Sequence, residues 1–120
     1  PGYGATQRLV KLVGYGKTLE MVMTGEMISA SEARNIGLVN HVCDHEELSD
    51  FTMNIANKIA SKSVYTLKTA KRVIKAALNN TLNEGIAIEA EEFAKLFDSH
   101  DQEEGVRAFM ERDTPNWRDQ

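Results

Sequence analysis

Four residues in close succession, His41, Cys43, Asp44 and His45, carry the side-chain types that hold zinc or attack carbonyl carbon. Imidazole and thiolate are preferred zinc ligands, and alternate residues of an extended strand share a face, so His41 and Cys43 would stand side by side. A structural site needs four such ligands, and no second group completes this one. His100 lies far along the chain with no cysteine near it. The cluster reads instead as a surface strand running into a helix cap. Cys43 as a nucleophile needs a neighbouring base and positive surroundings, whereas the adjacent Asp44 opposes the thiolate. Glu89, Glu91 and Glu92 are of the type that trades protons with a substrate, but grouped on one predicted helix they read as a solvated face.

Lys68, Lys71, Arg72 and Lys75 are neighbours on one helical face, a row that could meet phosphates but reads in the first place as solvated surface. Gly2 and Gly4 precede a predicted helix, as in loops whose free N–H groups meet anions, though two glycines alone specify no ligand. Trp117 beside Arg118 reads as a residue that tucks the tail down. No G-x-x-x-x-G-K-[ST] loop, G-x-G-x-x-G fingerprint or G-x-S-x-G elbow occurs in the sequence.

The elements that would position these groups are almost all helical. Leu9, Leu12 and Val13 have helical spacing in a segment from Ala5 to Val13 that stops at Gly14. A second helix is expected from about Lys17 to Thr24, between Gly16 and Gly25. Ser29 and Glu32 have capping-box spacing for a short helix from Ala30 to Asn35. Leu38 to Cys43 is rich enough in β-branched residues to predict one short strand. Asp44 with Glu47 then caps a helix reaching about Ser61, with Leu48, Phe51, Ile55 and Ile59 on one face.

After Ser63, Leu67, Ala70, Ile74, Ala77 and Leu78 mark a helix that Asn79-Asn80 breaks. Thr81 and Glu84 open the next, whose main apolar stripe is Ile86, Ala90, Phe93 and Phe97. Ile88 and Leu96 fall off that stripe, which predicts burial on two sides, by the chain's own core and by another subunit. Ser99 with Gln102 caps a last helix carrying Val106, Phe109 and Met110, and Pro115 closes it. The expectation is a mainly α chain of about six helices and one strand, without repeats, low-complexity stretches or linkers.

The totals bound the function class. The chain has 120 residues, 42% hydrophobic and 27% charged, enough for one domain-sized core. A formal net charge of -4 gives no general attraction to nucleic acid or anionic membrane. The single cysteine neither requires nor suggests an oxidising compartment. No apolar run reaches the roughly 20 residues that span a bilayer. The expectation is a cytoplasmic or organelle-matrix protein that is not secreted. The opening on Pro1 rather than methionine, in mid-phrase, is expected of a cut chain.

Pro1-Gly2-Tyr3-Gly4-Ala5-Thr6-Gln7-Arg8-Leu9 with Leu12-Val13-Gly14 resembles the P-G-x-G-[GA]-T-Q-R-L…L-V-G signature of the crotonase, or enoyl-CoA hydratase, family. Met23-Thr24-Gly25-Glu26, Ile28-Ser29-Ala30, Glu32-Ala33 and Gly37-Leu38-Val39-Asn40 are similar, in register, to its L-T-G-x-x-I-x-A-x-E-A-x-x-x-G-L-V-N run. Glu104-Gly105-Val106-Arg107-Ala108-Phe109-Met110-Glu111-Arg112 resembles the E-G-x-x-A-F-x-E-[KR] tail, and Pro115-Asn116-Trp117 stands near the usual P-x-[FW] finish.

The resemblance implies a parent of about twice this length, an α/β fold with a spiral of ββα units and a C-terminal helical region that builds trimers. Residues 1–43 would end the spiral core, residues 44–120 would be the oligomerisation region, and the N-terminal catalytic core would be absent. In hydratases of the family two glutamates serve as acid and base, and two backbone N–H groups stabilise the thioester enolate. Both glutamates would lie upstream of Pro1, leaving the piece inactive alone. Gly2 matches the position whose backbone N–H lies near the catalytic water. Phe109 and Arg112 match tail positions that reach the coenzyme A of an adjoining subunit, Arg112 replacing the usual lysine. The implied substrate is an acyl-CoA thioester, with no covalently bound cofactor, no metal, no nucleic-acid or membrane partner, and a homotrimer or dimer of trimers. Isomerases, decarboxylases and dihydroxynaphthoyl-CoA synthases of the family stay open beside the hydratase, as does a non-catalytic helical association module.

Overall fold

Hydroxyl side chains start the helices where the spacing predicts. Ser29 Oγ accepts the Glu32 N–H at 3.0 Å, Ser63 Oγ that of Thr66 at 3.1 Å, and Ser99 Oγ that of Gln102 at 3.2 Å. At Thr81 the reciprocal box is complete: its hydroxyl accepts the Glu84 N–H, and the Glu84 carboxylate accepts the Thr81 N–H at 2.8 Å. The Thr81 N–H first, and then the Thr81 hydroxyl, which donates to the same carboxylate, hold the Glu84 carboxyl below its ordinary range. Glu32 departs from the expected box. Its carboxylate turns to Lys17, 2.8 Å away, and with Glu20 raises the Lys17 ammonium above its usual value, Glu20 contributing more. Asp44 makes no side-chain cap either; its carbonyl accepts the Glu47 N–H.

The computed structural model describes residues 2–118, and among them seven α-helices and one 3-10 helix. These are α1 (Ala5–Val13), α2 (Tyr15–Thr24), α3 (Ala30–Asn35), a 3-10 helix at His45–Glu47, α4 (Leu48–Ala60), α5 (Val64–Ala76), α6 (Leu82–Leu96) and α7 (His100–Glu111). The chain forms two compact units, Pro1–Phe51 and Thr52–Gln120, with the boundary early in α4.

In the first unit α1 and α2 pack together about Gly14, whose φ of 81° turns the chain between them. The Gly14 carbonyl accepts both the N–H and the hydroxyl of Thr18, which is buried. The expected strand at Leu38–Cys43 does not form, and no strand occurs among the described residues. Leu38 and Val39 instead donate their N–H groups to the Ala33 carbonyl, at 2.8 and 3.3 Å, around left-handed Gly37. β-branched composition alone supplies no ladder partner, and the α3 end motif takes these backbone donors first.

In the second unit α5 and α6 pack as a helical hairpin, tied by the Arg72–Glu92 ion pair. Of the two sides of α6 expected to be covered, one is covered within the described residues. Ile88 and Leu96, off the main stripe, are half-buried, whereas Ile86, Phe93 and Phe97 are 52%, 59% and 55% exposed. Among the described residues the buried apolar side chains are Ala33 and Ala108, and no large side chain is fully buried.

Candidate functional site

The loop ahead of α1 is shaped by two successive left-handed residues, Tyr3 at φ 53° and Gly4 at φ 76°. Gly2 lies just before them, and its carbonyl accepts the Ala5 N–H at 3.0 Å. Arg8 folds back to donate to the Tyr3 carbonyl at 2.8 Å, and a Cβ on Gly4 would lie 3.0 Å from that guanidinium. Nothing stands within 4 Å of where a Cβ on Gly2 would be, and its φ is outside the left-handed range. Gly2 thus offers an exposed main chain with open space beside it, a geometry in which a ligand can approach the backbone closely.

Phe109 and Arg112 stand together at the end of α7. The helix closes on a Schellman motif: Arg112, left-handed at φ 54°, donates its N–H to the Phe109 carbonyl, and Asp113 donates to the Ala108 carbonyl at 2.9 Å. Phe109 is 82% exposed and lines a groove of about 400 Å³ with Phe93, Leu96, Phe97, Gln102 and Val106. Phe93 and Phe97 meet there edge to face, 5.1 Å apart. Among the described residues the Arg112 guanidinium has no ion-pair partner, so it can take an external anion without breaking an internal contact.

Arg107, one turn earlier, is fully engaged. It grips Glu104 with two bonds of 2.8 and 2.7 Å and also reaches Glu111 and Asp113, at 2.6 and 3.1 Å. Arg107 first, and then the Asn116 N–H, lower the Glu104 carboxyl from 4.5 to about 2. The Thr114 N–H and Arg107 likewise hold Asp113 low. Sequence reasoning passed over this network. Its signal was the i, i+3, i+6 row Asp101, Glu104 and Arg107, which places all three along one ridge of α7.

The other candidates are not assembled for chemistry. Lys95 binds Glu91 and Glu92 at 2.7 and 2.8 Å, and holds Glu91 below its ordinary range, contrary to what a proton donor requires. Among the described residues no three His, Cys, Asp or Glu side chains come together as a metal site. His41 packs edge-on against Phe51, 5.2 Å away. Of the basic row, Arg72 pairs with Glu92, and Lys68, Lys71 and Lys75 are exposed. The tail does tuck down: Trp117 Nε1 donates to the Ser61 carbonyl at 2.8 Å. No helix among the described residues is long and apolar enough to cross a membrane.

The family model described as enoyl-CoA hydratase/isomerase matches residues 1–120. A probable mitochondrial enoyl-CoA hydratase of Dictyostelium discoideum is 44% identical over 117 residues, covering 98% of this chain and 42% of the relative. The mitochondrial enoyl-CoA hydratase of Pongo abelii is 42% identical over 120 residues, covering 100% of this chain and 41% of the relative. The crystal structure of an enoyl-CoA hydratase from Bacillus anthracis superposes with a TM-score of 0.95 at 36% identity, over 100% of this chain and 46% of that one. The chain thus spans less than half the length of these relatives. The sequence match, running from the Gly2 loop through the α7 tail, and the agreement of the helices in space together show that the chain belongs to the enoyl-CoA hydratase/isomerase family, within the crotonase superfamily, and is most like the enoyl-CoA hydratases.

Proposed function

We propose that this chain supplies the C-terminal helical part of an enoyl-CoA hydratase, which adds water across the double bond of a trans-2-enoyl-CoA to give a 3-hydroxyacyl-CoA, in fatty acid oxidation or related acyl-CoA metabolism of a bacterial cytoplasm or an organelle matrix. The observation that carries this reading is the end of α7, where exposed Phe109 and exposed Arg112 offer an aromatic surface and a phosphate-binding cation side by side. The thioester of coenzyme A is substrate here, and no covalent cofactor takes part. Gly2 contributes a backbone N–H near the attacking water, while Phe109 and Arg112 contact the coenzyme A bound by an adjoining subunit.

The acid and base are not supplied by this chain in the proposal; Glu91, Glu92 and Glu104 are engaged by Lys95 or Arg107. The purified 120-residue chain is expected to leave the ultraviolet absorbance of crotonyl-CoA unchanged above the buffer rate. Substantial hydration would show that an acid–base pair lies within residues 1–120.

The outward stripe of α6 favours a second role in the same protein, association of subunits into a trimer or a dimer of trimers. Ile86, Phe93 and Phe97 are too large and too exposed to be at rest in water as a row. Sedimentation tests this part: a well-behaved monomer at high concentration argues against it.

A further inference from the structure

The segment after α7 runs back along the helix that precedes it. Asp113 pairs with Arg107, the Asn116 N–H donates to Glu104 at 2.7 Å, and the Arg118 N–H donates to Asp101 at 2.8 Å. The pairing is ordered and antiparallel: as the tail advances from 113 to 118, its partners retreat from 107 to 101. Alternate residues of an extended segment present their N–H groups to the same side, which suits a helix ridge bearing acceptors three residues apart. Between the two donors, the Trp117 ring lies over Gly105, where an added Cβ would meet it at 3.5 Å, and its Nε1 reaches the Ser61 carbonyl. Asp101 is 2% exposed, a carboxylate turned inward to accept a backbone N–H rather than left in water.

We propose that residues 113–118 are a strap seated on the Asp101–Glu104–Arg107 row of α7, and that the seated strap fixes the left-handed turn that presents Phe109 and Arg112. The strap stands on bonds within one compact unit, and only its consequence for ligand rests on the acyl-CoA reading above. Arg107 and Glu104 are positioning residues in this scheme. They engage the strap and one another, and their charges are satisfied before any ligand arrives.

The test removes backbone donors and leaves every α7 side chain in place. Asn116→Pro deletes the N–H received by Glu104, and Arg118→Pro deletes the one received by Asp101. Trp117 is the single tryptophan and reports the strap directly. On the full chain each variant is expected to raise the acrylamide quenching constant of Trp117 at least twofold, with helical circular dichroism unchanged. Quenching unchanged in both variants overturns the strap. Arg118→Pro, six residues beyond the left-handed turn, keeps the test interpretable if Asn116→Pro lowers the helical signal.

Coenzyme A titrated into the whole enzyme carrying the same substitutions separates the strap from the functional reading. Asn116→Pro and Arg112→Met are each expected to weaken its binding at least threefold. Full affinity in Asn116→Pro beside weakened binding in Arg112→Met overturns the positioning role. If Arg112→Met binds coenzyme A as the parent enzyme does while the proline variants still free Trp117, the strap stands and the acyl-CoA reading falls.

Discussion

α6 and α7 belong to the same compact unit and are each opened by a hydroxyl cap, yet the apolar stripe of α6 and the polar ridge of α7 meet their surroundings in opposite ways. The polar ridge of α7 is settled by its own neighbours, its buried Asp101, its Glu104 and its Arg107 all finding partners within the unit, while its Val106, Phe109 and Met110 are exposed. α6 is settled on one side only. Its polar groups pair with Lys95 and Arg72, but Ile86, Phe93 and Phe97 face outward. Polar groups are directional and are satisfied by one or two well-placed atoms, whereas an apolar stripe is satisfied only by area. A tail of six residues can complete the polar ridge of α7. Completing α6 takes another surface.

The strongest way to break that contrast is to charge the α6 stripe. Ile86→Asp together with Phe97→Asp is expected to weaken self-association by at least about 100-fold, roughly 3 kcal/mol, by sedimentation, while helix content stays the same. Equal association in the double variant would mean that α6 is not the sticking face. Next in size, Asp101→Ala removes a buried acceptor and should lower stability to urea by about 2 kcal/mol, whereas Asp101→Asn, which keeps an acceptor, should cost less than half as much. The cap common to both helices gives a smaller effect: Thr81→Ala is expected to cost about 1 kcal/mol in the same measurement.

The smallest change comes from pH. The Glu104 carboxyl is lowered from 4.5 to about 2 in the folded chain, so its contribution is fully present above pH 4.5 and is lost as pH falls toward about 2. Asp113, lowered in the same direction, adds to this loss. Trp117 quenching should therefore stay level above 4.5 and rise below it, and Glu104→Gln should flatten the rise. A rise in the neutral range instead would place control of the strap in another group.

Most of the helical pattern was legible because its signals are local. Ser29, Ser63, Thr81 and Ser99 act within three residues of themselves, and Gly14, Gly25 and Gly37 end or turn helices through their own backbone freedom. The strand at Leu38–Cys43 was misread because a strand is not local. It exists only if another backbone accepts its donors, and here the Ala33 carbonyl takes two of them. Glu32 was misassigned for a similar reason: Lys17, fifteen residues away, competes successfully for its carboxylate.

The site divides along the same line. Sequence by itself determined the family likeness, the positions of Gly2, Phe109 and Arg112 as candidates, and the helices that carry the last two, because motif register and helical period are properties of neighbouring residues. Only the tertiary structure decided which side of α6 is covered, that Arg107 is spent within the unit while Arg112 just beyond α7 is exposed, and where the tail lies. Those outcomes depend on which groups meet across the fold. Arg107 and Arg112 are five residues apart and chemically alike, and only packing sets one into the strap's seat and leaves the other facing out.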